Sequence, residues 1–256
     1  MAYGSNGLIA TVMLDKTLVG GKDPMAFLFS GAKTGYLAEW NPRTGRKRLP
    51  GSEATLNDDI QLSADCRFVW FTGWTSRQVL EYDLQAQRIT HSIDAPFSPD
   101  NLTLRSDGTV IVAGIGDLAR WRDCIAAEGH FCQDKLALLV ATLDPETLTV
   151  KPLFHGNPGL LTGASVALAI DNALYVGTAT GDRMLTIPSV ELATPREDVE
   201  LSMTSVSGHG HHEGLTGVPA TNFRAPSFAL IDRVLPNVAL QKTLFCWDHR
   251  FGRATG

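Results

Sequence analysis

Asn57, the pair Asp100-Asn101 and Ser165 recur at one place in a repeated pattern, a few residues ahead of a polar turn. They stand in Leu56-Asn57-Asp58-Asp59-Ile60, in Ser98-Pro99-Asp100-Asn101-Leu102 and in Gly163-Ala164-Ser165-Val166. A carboxylate and amide oxygens brought to one point would ligate a hard cation such as Ca²⁺, which takes six to eight oxygens. Each residue taken alone has a plainer reading, because Asn, Asp and Ser favour the starts of strands and the caps of loops. The cation reading therefore requires an architecture in which separate repeats converge.

The turns supply such an architecture. Ser5-Asn6-Gly7, Ser63-Ala64-Asp65, Ser106-Asp107-Gly108 and Asp171-Asn172 each precede an apolar run, Phe68-Val69-Trp70-Phe71 and Val110-Ile111-Val112-Ala113 being two of them. Ser, Asp, Asn and Gly tolerate left-handed backbone angles, and the β-branched or aromatic run that follows suits a buried strand. Between the copies lies a second hairpin, turning at Asn41-Pro42-Arg43-Thr44-Gly45, Asp83-Leu84-Gln85-Ala86 and Asp144-Pro145-Glu146-Thr147. A full unit thus holds four short antiparallel strands. Asp65 and Asp107 are 42 residues apart, and four strands in roughly 40 residues mark a β-propeller blade. Longer gaps are insertions at 15–34 and 115–135, and Leu118 to Ala127 has the pattern of a short helix. Innermost strands of all blades run along the central channel in one direction, so Asn57, Asp100, Asn101 and Ser165 are expected at one channel mouth.

The expected fold is all-β, a partial propeller of about four blades over residues 1–188 with an irregular extension over 189–256, where turn signals stop. The first copy begins within five residues of Met1, which predicts that its opening strand and further N-terminal blades are missing. The 256 residues are 44% hydrophobic and 19% charged, with a net charge of -5. No basic stripe offers itself to a nucleic acid, and no apolar run approaches the roughly 20 residues of a membrane span. Cys124 and Cys132 are eight residues apart in a polar stretch. A local disulfide there favours a periplasmic or secreted setting, against the alternative of two thiols in a cytosolic loop.

Leu56-Asn57-Asp58-Asp59-Ile60 with Leu62-Ser63, Pro99-Asp100-Asn101-Leu102, and Gly163-Ala164-Ser165-Val166 with Leu174-Tyr175-Val176-Gly177-Thr178 resemble the SMP-30/gluconolactonase and paraoxonase-like group, which includes strictosidine synthase-like proteins. The similarity runs over roughly residues 4–188. It implies a six-bladed propeller with Ca²⁺ or another divalent cation at the channel mouth, hydrolysing small lactones or aryl esters. By the same resemblance Asn57, Asp100 and Asn101 are metal ligands, Asp100 is also the catalytic base, and Ser165 lies on the substrate side. Two departures stand out. Relatives have Gly where this chain has Asp58, and the metal-binding Glu, the Asn of the preceding blade and the paraoxonase His pair have no counterpart. A non-catalytic binding or scaffold propeller, or an inactive fragment lacking part of the metal site, is the alternative.

Other signals carry less. His209, His211 and His212 sit in a Gly-rich stretch more typical of a solvated surface. Gly114-Ile115-Gly116 lacks the third Gly and helix of a dinucleotide site, and Ser165 has no Gly-x-Ser-x-Gly elbow around it. Phe68, Trp70, Phe71 and Trp74 read mainly as strand packing; an aromatic lining the channel beside an acyl or aryl group is the other reading.

Overall fold

The computed structural model describes residues 2–4, 7–20, 25–128, 136–161, 163–179, 183–188, 202–205 and 244–245. The first sheet contains β1 (Ala2–Gly4), β2 (Gly7–Val12), β3 (Tyr36–Asn41) and β4 (Gly45–Arg48). The second contains β5 (Asn57–Leu62), β6 (Phe68–Gly73), β7 (Gln78–Asp83) and β8 (Arg88–Asp94). The third is built from β9 (Ser98–Leu104), β10 (Val110–Ile115), β11 (Leu138–Asp144) and β12 (Thr149–Gly156). The fourth has β13 (Val166–Ile170), β14 (Ala173–Gly177), β15 (Arg183–Pro188) and β16 (Ser202–Ser205). Within each sheet these four strands pair antiparallel in chain order, as the turn pattern predicts. Three short helices, α1 (Lys16–Val19), α2 (Met25–Leu28) and α3 (Leu118–Glu128), lie in the two insertions.

Strand β5 lies against β1 and β2, β9 against β5, and β13 against β9. The first strands of successive sheets therefore stand side by side. At the outer edge the sheets splay, and an open groove of about 700 Å³ separates β8 from β12 between His91 and Pro152. Sheets close at their first strands and spread at their last are radial blades, and the chain is a partial propeller.

This stacking explains why β6 and β10 are apolar almost throughout instead of alternating. Val110 and Val112 enter the core shared with the second sheet, beside Trp70, Val79 and Phe97. Ile111 and Ala113, pointing the other way, enter the core shared with the fourth, beside Leu138, Leu174 and Val176. A strand buried on both faces needs apolar side chains at both parities. The first and last sheets have a neighbouring sheet on one face only among the described residues. There Trp40, Leu168 and Ile170 are 45%, 42% and 49% exposed.

The second-hairpin turns share one mechanism. Asn41 Oδ1 accepts from Arg43 N–H at 2.8 Å, Asp83 Oδ1 from Gln85 N–H at 2.8 Å, and Asp144 Oδ1 from Glu146 N–H at 2.9 Å. Four residues on, Gly45, Gln87 and Leu148 take φ of 76°, 52° and 56°, the left-handed step that lets the next strand return.

Three expectations change here. The first sheet has its opening strand, β1, although short. The stretch beyond 188 contributes β16 to the fourth sheet and β17 (Leu244–Phe245), which runs parallel to β1; the rest of it, including His209, His211 and His212, lies outside the described residues. The periplasmic or secreted expectation is corrected as well. Cys124 sits within α3 and not in a loop, Cys132 lies outside the described residues, and no two described cysteines stand at disulfide distance. Among the described residues that setting therefore finds no support.

The Asp83 carboxylate, hydrogen-bonded by Ala86 N–H and then by Arg67 and Gln85 N–H, is held below the ordinary carboxylate range. Such a group adds stability that is complete above its unfolded value and fades as pH falls through the lowered folded value. Asp83→Ala should therefore lower the melting temperature clearly at pH 7 and much less at pH 3, as read by thermal unfolding across pH.

Candidate functional site

Register decides which inner-strand residues are equivalent. Asn57 pairs with Gly73 and Ile60 with Phe71, so three steps on β5 answer two on β6. Pro99 pairs with Gly114 and Leu102 with Val112, the same irregularity in β9. These two inner strands each carry a β-bulge at the start, and a bulge re-aims the side chains within it. Asp58 and Asp100 occupy the same place in the two bulges, and Asn57 corresponds to Pro99. Glycine is required opposite the second bulge: a β-carbon on Gly114 would stand 2.1 Å from the Ser98 carbonyl oxygen.

The bulges free backbone groups that pair across sheets. Thr11 Oγ1 of the first sheet donates to the Asp58 carbonyl. Asp59, 7% exposed, accepts from Leu102 N–H at 2.7 Å, clamping the third sheet to the second. Fully buried Thr72 accepts from Asp59 N–H at 3.0 Å and donates to the Asp100 carbonyl at 3.2 Å. Asn101 N–H donates to the Ser165 carbonyl at 3.1 Å, and Asn101 Nδ2 to the same oxygen at 2.7 Å. The four sheets are thus linked at the level of the two bulges.

At that level the Asp58 and Asp100 carboxyl groups lie close enough to interact directly. Ser165 Oγ donates to Asp100 Oδ2 at 2.8 Å, and Asn101 Nδ2 to Asp100 Oδ1 at 3.1 Å. Burial pushes the Asp58 pKa well above the ordinary carboxylate value, and the neighbouring Asp100 and Asp59 charges push it further. Two neighbouring carboxylates cannot both ionise cheaply, so Asp58 keeps its proton to higher pH than an ordinary carboxylate does.

Of the residues expected to converge, Asp100, Asn101 and Ser165 are brought together. Asn57 has no hydrogen bond to them. Fully buried at the start of β5, it donates from Nδ2 to the Ser52 carbonyl at 3.1 Å, while its Oδ1 faces Gly35 without a hydrogen-bond partner. The residue missed was Asp58, legible in the sequence only as a departure from a family pattern. A shared motif would have found it: Asp58-Asp59-Ile60-Gln61-Leu62 and Asp100-Asn101-Leu102-Thr103-Leu104 have the same order of residue types.

The donor set can be tested against a divalent cation. It is all oxygen, with two carboxyls in contact, a hydroxyl and an amide beside them, which is hard-cation chemistry. Two ionised carboxylates side by side carry two negative charges, which a dication would balance. Among the described residues no group of three or more His, Cys, Asp or Glu side chains could hold a metal. A cation here would thus complete its shell with neutral oxygens and water. On charge and donor type the residues fit.

Beside Asp100 and Ser165 lies a cavity of about 50 Å³, bounded on its apolar side by Trp74, Ile115 and Trp121.

No family model and no curated protein matches the chain. Solved structures similar to it include a protein of unknown function from Desulfotomaculum acetoxidans, with 14% identity, 62% of this chain and 49% of that one covered, and a TM-score of 0.39. A protein named as a candidate 6-phosphogluconolactonase from Bacteroides uniformis has 11% identity, 70% and 50% coverage, and a TM-score of 0.44. A catalytically inactive virginiamycin B lyase from Staphylococcus aureus with quinupristin has 13% identity, 67% and 49% coverage, and a TM-score of 0.41. The last two are β-propellers. The chain spans about half the length of these structures, 49% to 50%. At such scores the propeller assignment rests on the chain's own sheet order.

With its folded pKa raised, Asp58 keeps a proton in the native state that the unfolded chain releases, so stability falls as pH climbs from the ordinary carboxylate value toward the raised one. Asn at this position mimics the protonated acid. Asp58→Asn should melt a few degrees above the parent at pH 8, the shift that about 1 kcal/mol produces in a chain of this size. At pH 4 the gap should close; thermal melts at both values, without divalent ions, check this.

Proposed function

We propose that this chain forms the cation-binding mouth of a propeller hydrolase acting on small lactones or aryl esters. The observation that carries the reading is the contact between Asp58 and Asp100 at one end of the inner strands, with the Ser165 hydroxyl on Asp100. Asp58 and Asp100, with oxygens of Asn101 and Ser165 beside them, are the residues that would hold Ca²⁺ or another dication. Bound there, it would polarise the substrate carbonyl and stabilise the oxyanion. Asp100 has the second task of accepting a proton from water as the water oxygen bonds to the carbonyl carbon. The carbon–oxygen bond to the leaving group then breaks, and the departing oxygen takes a proton. Ser165 and Asn101 hold the Asp100 carboxylate by one oxygen each, so that its orientation is fixed before substrate arrives. The link from Thr72 to the Asp100 carbonyl fixes the backbone behind it.

The small cavity favours a second reading. Sites for whole small molecules are typically about 300–1,000 Å³, whereas the space beside Asp100 is about 50 Å³. A non-catalytic propeller, serving as a binding or scaffold module, needs no such pocket.

Asp100→Ala should abolish both the rise in melting temperature on adding Ca²⁺ and the EDTA-sensitive hydrolysis of aryl acetates and lactones. Calorimetric Ca²⁺ titration with a parallel hydrolysis assay measures both. Ca²⁺ binding undiminished in Asp100→Ala would overturn the site. Ca²⁺ binding without turnover by the parent would establish the module instead.

A further inference from the structure

We propose that the two end faces of the blade stack bind a second copy of this chain head to tail, so that two four-bladed arcs close one ring of eight blades. The proposal is independent of the hydrolase reading. Register identifies the faces. The last residue but one of the third strand is Trp40 in β3, Tyr82 in β7, Leu143 in β11 and Ile187 in β15. Tyr82, Leu143 and Ile187 are fully buried, each in the core shared with the preceding sheet. Trp40, at the same position, is 45% exposed. Those four residues pair with Leu8, Val69, Val110 and Leu174 of the second strands. The next residues along, Ile9, Trp70, Ile111 and Tyr175, point to the opposite face. Ile9, Trp70 and Ile111 are buried in the core shared with the following sheet. Tyr175 is only half-buried, and its cross-strand partner Leu168 and nearby Ile170 are exposed. The first sheet thus ends in a face of the kind that takes a preceding blade, and the fourth in one of the kind that takes a following blade.

Three contacts of this kind already exist inside the chain, so the occupant that fits the first sheet is another blade, and the fourth sheet of a second copy offers one. Closure sets the number of copies. Heterologous contacts give a ring when the rotation completes a turn and a filament when it does not. Propellers have roughly four to eight blades. One copy leaves both end faces uncovered by any described sheet, two copies give eight blades, and three would give twelve. Two copies alone fall within the range. The rim of the first face points the same way. Arg46 stands opposite Trp40 and Arg48 opposite Ala38. Both guanidinium groups lie over the Tyr36 ring, 5.6 Å and 4.3 Å from its centroid. Trp, Tyr and Arg are the types that carry most binding energy between separate molecules. That composition favours a second molecule over a further blade of the same chain.

Sedimentation velocity of the 256-residue chain over a concentration series tests this, with Trp40→Glu and Ile170→Glu as variants. Both positions are exposed, so each variant should keep the parent's circular dichroism spectrum. The parent, 27.7 kDa per chain, should sediment as a dimer. Each variant should weaken association by about thirtyfold or more, the effect of losing a hot-spot contact. An equimolar mixture of the two variants should recover a dimer held by one intact contact. Trp40→Glu keeps a sound fourth-sheet face and Ile170→Glu a sound first-sheet face, so that recovery is peculiar to a head-to-tail arrangement. A parent that stays monomeric at every concentration would overturn the proposal, leaving the end faces to further blades of a longer chain or to residues after 188. A dimer that Ile170→Glu leaves intact would be isologous and would overturn it too. Assemblies that grow past the dimer with concentration would overturn ring closure. If either variant fails to fold, Trp40→Ser and Leu168→Ser decide the outcome by the same readings.

Discussion

A single extra residue in β5, and another at the same place in β9, govern the inner face of this protein. In a regular ladder Asp58 and Asp100 would be locked into alternation with their neighbours, and their backbone groups would be used by the next strand. The bulges break that ladder for two residues, and the released groups pair across sheets through Asp59, Thr72 and Thr11. The same break that brings two carboxyls together therefore supplies the bonds that hold their backbones. Glycine opposite the second bulge follows from the close approach of the Ser98 carbonyl.

Two carboxyls in contact are an electrostatic cost that the rest of the fold must offset. Burial and mutual repulsion raise the Asp58 pKa, and the free energy concerned is released by any species that brings positive charge, whether a proton or a dication. The offset comes from the cores between blades, where β6 and β10 are buried on both faces. The two carboxyls stand on β5 and β9, which pair with the doubly buried β6 and β10 and so cannot readily move apart. Preorganisation of this kind is what a site for cations or for acid–base chemistry requires.

The insertions show a second division of labour. The blades need only their own strands to pack, yet the segments after β2 and β10 leave the barrel-like core and meet each other through Phe29, Trp121 and Trp74. Trp121 of the second insertion and Trp74 of the β6–β7 turn line the space beside Asp100.

Residue type and spacing alone determined the blades. The polar turns, the apolar runs and the Asx-started hairpins are local chemistry, and each of Asn41, Asp83 and Asp144 caps its turn as its type demands. The meeting of Asp100, Asn101 and Ser165 was also legible, because radial repetition carries equal phases to one end. The tertiary structure alone decided that Asp58 is Asp100's partner and that Asn57 joins Ser52 and Gly35. A bulge shifts phase by one residue, and its position depends on which groups the neighbouring sheet offers. Nor could sequence pair Trp74 with Trp121, which lie on different sheets' connections 47 residues apart. Their contact depends on how two blades splay, and that angle is set by the whole core between them.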